Sequence, residues 1–245
     1  MIINILHRYT GAVLFSHDCE DNTMRLTVEA AVSAGADLAF ANLAATYLTG
    51  ADMRDAKLVG ADLSRVDLVG ADITGADMRS ADLSHAGMRG QRLTYTALEG
   101  ADMRYANLID AYLGNAELAG VNLYHAEMSG ADLTDANLAD ADMRNANLAD
   151  ADMRGTNLRG VDMRGVCMRG ADTRYANLEG ADMQGADLRG TYMVGADLRY
   201  AYLVGADVTG ANLYGASTLG PNMCYARTYA DMYPTNPARG LQVED

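Results

Sequence analysis

One interval governs this chain. From Ala36 to Gly215 it reads as 36 consecutive five-residue units without an insertion. Ala36-Asp37-Leu38, Ala61-Asp62-Leu63 and Ala211-Asn212-Leu213 show the unit, with the third residue as its centre. The centre is Leu in 22 units and Met in 11, the others being Ile73, Thr173 and Val208. Two residues earlier stands Ala in 27 units; most exceptions are Val or Thr, and Gln91 is the outlier. A period of five excludes both common elements. On an α-helix, five residues turn through about 500°, so successive centres define no face. On a straight strand an odd spacing sends successive centres to opposite sides. Only a chain that bends once per unit can direct every Ala and every centre to one interior, leaving the other three residues outside.

The remaining positions agree with a bend. Directly before the centre stand Asp in 17 units and Asn in 8, short polar side chains that bond neighbouring backbone in turns. The last residue is Gly in 19 units, which permits a tight corner and positive φ. Ala keeps a narrow interior passable, and Leu and Met fill it.

On these residues the chain resembles the pentapeptide-repeat family, whose unit is written A(D/N)LXX. The resemblance implies an all-β fold, a right-handed quadrilateral β-helix with four units per coil and about nine coils. At ~4.8 Å per layer the rod would be about 43 Å long. Residues 1–35 are expected to cap it. Ile2–Leu6 and Ala12–Phe15 read as a hairpin around Arg8-Tyr9-Thr10-Gly11. Thr23 or Asn22 then caps a helix from Met24 to Ala34 that ends at Gly35. Residues 36–215 form the repeat region. In residues 216–245 the pattern decays, Thr218 taking a centre and Pro221 an Ala position. That segment reads as a degenerate coil, a C-terminal cap with a short helix, or a dimerisation segment.

Composition narrows the function. A net charge of −14 and a pI near 4.5 argue against direct binding to nucleic acid or to an anionic membrane surface, and suit a partner with a basic face. No apolar run approaches the ~18 residues of a membrane span, and the opening is not a secretory signal. Three widely spaced cysteines, Cys19, Cys167 and Cys224, make neither a disulfide framework nor a metal motif, and fit a reducing cytoplasm. His85 and His125 share a column at 20 residues per coil, with Tyr105 between them, but two layers separate them, too far for one metal. No nucleophile–base arrangement stands out, and a filled interior without inserted loops offers no pocket. The expectation is a protein that is not an enzyme and needs no cofactor.

Two surface features are candidates for binding a protein partner. Asp62, Asp82, Asp102, Asp142, Asp162 and Asp182 fall in one column, with Asn122 completing it. Charges ~4.8 Å apart repel by roughly 0.9 kcal/mol even in water, and Arg104, Arg144 and Arg164 should partly offset this. The second feature is tyrosine near the end: Tyr192, Tyr202, Tyr214, Tyr225 and Tyr229 could serve a homodimer through the C-terminal end or lie under a folded-back tail. The resemblance implies a non-enzymatic binding rod, in its sharpest form an acidic DNA mimic acting on a type II topoisomerase such as DNA gyrase, or on another DNA-binding protein. The alternative is a structural or accessory spacer or adaptor protein of a phage or prophage, because the opening residues resemble members carried there. Neither reading names the partner.

The inward assignment has a direct test. Leu133→Arg should cost several kcal/mol, since it buries an unpaired charge, whereas Asp132→Asn should be mild. Urea denaturation of the two variants checks this, and equal tolerance would reverse the inward and outward positions.

Overall fold

The computed structural model describes residues 1–218. Strands β1 (Ile2–His7) and β2 (Val13–Asp18) form an antiparallel hairpin. Helix α1 (Met24–Ser33) follows, its N-cap Thr23 accepting a bond from the Leu26 N–H. Strand β3 (Ala41–Asn42) then pairs antiparallel with β1, so the sheet order is β2-β1-β3. Asn22 ties the hairpin to the helix, donating to the carbonyls of Met1 and His17 and accepting from the Thr27 hydroxyl. Ile5, Val28 and Ala31 are buried in one apolar cluster with Leu38 and Leu43, so the hairpin and helix close the apolar end of the repeats. Arg8 fastens the hairpin turn from outside, donating to the Gly60 carbonyl at 3.0 Å.

From Asp37 onward the chain contains single-residue parallel bridges between residues 20 apart, from Asp37↔Lys57 to Asp197↔Ser217. Four units therefore complete a circuit, and circuits stack. All Ala-position and centre residues from Leu38 to Leu213 are buried except the half-buried Thr46, and Leu133, Met143 and Leu178 are fully so. Large side chains and methyl groups alternate along this interior, which gives close packing without large aromatics.

The expected all-β architecture, a right-handed quadrilateral β-helix of about nine coils, is corrected by these elements. Extended strands are confined, among the described residues, to the three-stranded open sheet at the N-terminus, beside one 10-residue helix. The repeats contribute isolated bridges separated by turns. The reason lies in the unit itself. One residue in five bridges to the next circuit before the chain must bend, so no strand can propagate.

The bend is the same each time. The centre carbonyl accepts the N–H of the residue three later, as in Ala136 to Leu133 at 3.0 Å. Every unit's last residue has positive φ, whether Gly or not: Gly120 at 65°, Asn115 at 58°, Tyr105 at 60°. Positive φ at that position alone is the pattern of a type II turn. Glycine is thus favoured rather than obligatory, and Asp, which tolerates this region well, is its commonest substitute, followed by Tyr.

A Cβ on Gly120 would meet nothing within 4 Å, whereas one on Gly130 would lie 2.8 Å from Asp110 Oδ1 in the circuit below. Gly120→Asn should therefore change stability by less than about 0.5 kcal/mol. Gly120→Val should cost about 1–3 kcal/mol, a β-branched residue being strained there. Gly130→Asn should be worse than Gly120→Asn. Denaturant midpoints of the three variants give the order.

Candidate functional site

The Asp and Asn residues before each centre are built into the turn. All 25 accept, through Oδ1, the backbone N–H two residues on, at 3.0–3.4 Å. This side chain takes the one N–H that the backbone pattern leaves over.

Asp62, Asp82, Asp102, Asn122, Asp142, Asp162 and Asp182 bridge one to the next along a single column. Their second roles differ. Asp62 and Asp82 accept the hydroxyls of Ser64 and Ser84 at 2.7 Å. Asp102, Asp142 and Asp162 each receive a two-pronged bond from the Arg two residues on, Nη2 lying 2.6 Å from Oδ2. Arg144 also lies 3.6 Å from Asp162, and Arg164 3.7 Å from Asp182. The column is thus a chain of alternating charge along its later half, with Arg8 at 3.8 Å from Asp62 at its start. The same fork recurs elsewhere, at Asp52/Arg54, Asp77/Arg79, Asp152/Arg154, Asp172/Arg174, Asp187/Arg189 and Asp197/Arg199. The sequence revealed the neighbouring residues but not the fork, which requires the Arg to fold back over its own turn.

These pairs shift titration. The Arg54 fork, aided by its backbone N–H, holds Asp52 down to about 2. Arg144 likewise lowers Asp142, and Asp142 raises Arg144, against an opposing desolvation effect. Asp77, Asp152, Asp172, Asp187 and Asp197 are lowered by their own Arg in the same way.

Tyr192, Tyr202 and Tyr214 are exposed. Tyr192 bridges to Asn212, the residue two before Tyr214, so those two tyrosines share one side in adjacent circuits. Tyr202 bridges to Asp182, half a circuit away, and is not brought to them. Tyr225 and Tyr229 lie outside the described residues. Elsewhere His85, Tyr105 and His125 stack nearly parallel, with centroids 4.8 and 5.5 Å apart, and Tyr124 meets Tyr105 and His125 edge-on. Among the described residues no group of three or more His, Cys, Asp or Glu is placed to hold a metal, and no helix is long and apolar enough to cross a membrane.

Comparison with known proteins follows the repeats. The family model for pentapeptide repeats matches residues 36–75, 71–108, 101–140, 136–172 and 175–216. The chain belongs to the pentapeptide-repeat family. It is similar to HetL, a pentapeptide repeat protein involved in heterocyst differentiation regulation from the cyanobacterium Nostoc sp. strain PCC 7120. Identity is 32%, over 74% of this chain and 83% of that one, with a TM-score of 0.33. A pentapeptide repeat protein of the Arabidopsis thaliana thylakoid lumen is 26% identical over 45% of this chain and 66% of its own, TM-score 0.29. Full-length QnrB1, a plasmid-mediated fluoroquinolone resistance protein, is 18% identical over 70% and 91%, TM-score 0.35. No curated protein matches the chain.

The forks predict a pH response. A carboxylate lowered in the folded state stabilises the fold above its unfolded value, ~3.9, and loses that contribution as pH falls through the folded value. Stability should therefore decline as pH drops from about 4 towards 2. In Arg54→Ala the Asp52 titration, followed by carboxyl-carbon NMR, should rise from about 2 to the ordinary carboxylate range.

Proposed function

We propose that the chain is a non-enzymatic pentapeptide-repeat protein that binds a protein through its exterior, and that its acidic columns engage the basic surface of a DNA-binding protein, a type II topoisomerase being the sharpest case. The observation that carries this reading is the fixed spacing of carboxylates on a strongly acidic chain, net −14, with successive members bridged at one per circuit. Duplex DNA presents a charge per ~1.7 Å of axis, which one column does not reach and several columns together approach. The Arg forks work against a uniform negative field, so the reading depends on acids beyond them. Asp67, Asp82, Asp132, Asp135, Asp140 and Asp150 supply such charge on several sides. Tyr192 and Tyr214 are proposed as the contact of a second copy near the C-terminal end.

Replacing Asp62, Asp82, Asp102, Asp142, Asp162 and Asp182 together by Asn separates charge from structure. Asn keeps the turn bond, as Asn122 does in the same column, but removes six negative charges. The wild-type protein should inhibit DNA supercoiling by gyrase at micromolar concentration, and the variant should keep its fold by circular dichroism while losing most of the inhibition. Absence of any wild-type effect would remove the topoisomerase reading, and equal inhibition by both would remove the column.

A further inference from the structure

The ladder between circuits is torn at one place. In the regular pattern the residue before the centre donates its N–H to the preceding circuit, as Asp72 does to Ala51 and Tyr112 to Gln91. The centre and the last residue donate to the following circuit, as Met53 does to Asp72 and Asp55 to Thr74. Between residues 70–75 and 89–95 these bonds are missing. Arg92 does not reach Ala71, Ile73 does not reach Arg92, Gly75 does not reach Thr94, and Gly70 does not reach Arg89. The bridge between Asp72 and Arg92 is also absent from the otherwise continuous series from Asp37 to Ser217.

The cause is the one polar long side chain at an Ala position. Gln91 is turned inward and is 1% exposed. Its Nε2 donates to the Ala71 carbonyl, the acceptor that the Arg92 N–H would use. An amide group thus occupies the space between two backbones that elsewhere touch directly. The disturbance spreads to the next unit and the next layer, where Tyr95 does not reach Gly114 and Glu117 does not reach Thr96. Thr156 and Thr191, at equivalent inward positions, each share one hydroxyl proton between two carbonyls, one in their own turn and one in the circuit before. Thr96 makes neither bond, and its hydroxyl is buried without a partner. Gln91 Oε1 and Glu99 Oε2 are in the same condition, so the buried side-chain polar atoms without a partner among the described residues all fall between residues 91 and 99. The neighbouring bond from Ala97 to Ala76, at 3.3 Å, is the longest of the ladder. Half a circuit away the same layers stay joined, Leu83 donating to Asp102 at 2.7 Å and Asp102 to Ala81 at 2.9 Å.

We infer that Gln91 makes a one-sided joint in the stack, where the circuits part on the side of residues 70–75 and 89–95 and hinge on the side that remains bonded. Local opening is governed by the bonds that must break, and here several are already unmade. The repeats before and after the joint then behave as two blocks that move relative to each other, while circuits away from the joint stay locked.

Hydrogen exchange read by mass spectrometry tests this on the full chain. Amides of residues 70–75 and 89–95 should exchange at least about tenfold faster than their counterparts three and two circuits on, at 130–135 and 129–135. Gln91→Ala restores the column's usual residue, frees the Ala71 carbonyl for Arg92, and should slow exchange at the joint to the level of those counterparts without changing them. Thr96→Ala should leave the fast exchange in place. Uniform protection in the wild type, persistence of fast exchange in Gln91→Ala, or its removal by Thr96→Ala would each overturn the assignment.

Discussion

Each five-residue unit carries five backbone N–H groups, and the structure depends on finding an acceptor for all of them while turning a corner. The unit from Ala131 to Asp135 shows the solution. Ala131 donates to Met128 across the turn, Asp132 to Ala111 in the preceding circuit, and Leu133 and Asp135 to Asp152 and Arg154 in the following one. The fifth, Thr134 N–H, faces outward at the corner, and the Asp132 carboxylate accepts it. A buried or half-buried donor left unpaired costs about 1–3 kcal/mol, so a unit that meets all five, as this one does, can stack on a narrow aliphatic interior. The Asp or Asn is therefore a backbone component first and a surface charge second.

This order of roles bears on any reading of the exterior. At Asp102, Asp142 and Asp162 the same carboxylate also receives an Arg fork. A partner that seeks a free carboxylate there would have to displace a preformed, geometrically matched cation. Surface ion pairs of this kind add little to stability singly, but they decide where the negative potential escapes. It escapes at residues such as Asp82, which holds only its own turn and a serine hydroxyl by hydrogen bonds, and at acids in the last position of the unit, such as Asp135 and Asp140. A mimic of a polyanion built on this chain would be patchy, its charge set by which units lack Arg.

Much of this arrangement is legible in the residues. The burial of Leu133, Met143 and Leu178 follows from the period of five alone, because no other local geometry gathers those positions. Asn22 and Thr23 together announce the start of α1, and it is the Thr23 hydroxyl that accepts the helical N–H. Three things are not legible there. The resemblance implies a β-helix, but the residues do not show that the turn after each centre leaves a single bridging residue per unit. The Arg forks depend on rotamers that composition does not specify. That Tyr192 and Tyr214 share one side of the circuit and Tyr202 does not rests on the observed bridges rather than on residue type.

Gln91 shows why a strict repeat is sensitive to single exceptions. The Val residues at Ala positions, such as Val66 and Val121, enlarge the interior without offering a hydrogen bond, and the ladder beside them is intact. Thr156 and Thr191 bring a hydroxyl, but it is short enough to bond carbonyls along existing lines. A glutamine brings both a donor and an acceptor on a stem long enough to reach the adjacent backbone. Its donor displaces the ladder, and its acceptor finds nothing in the apolar channel. What decides the outcome is therefore reach rather than polarity or volume. In its column the circuits on either side carry Ala71 and Ala111, which offer no side chain to satisfy the amide, while the bonds half a circuit away hold, so the effect stays on one side of adjoining circuits.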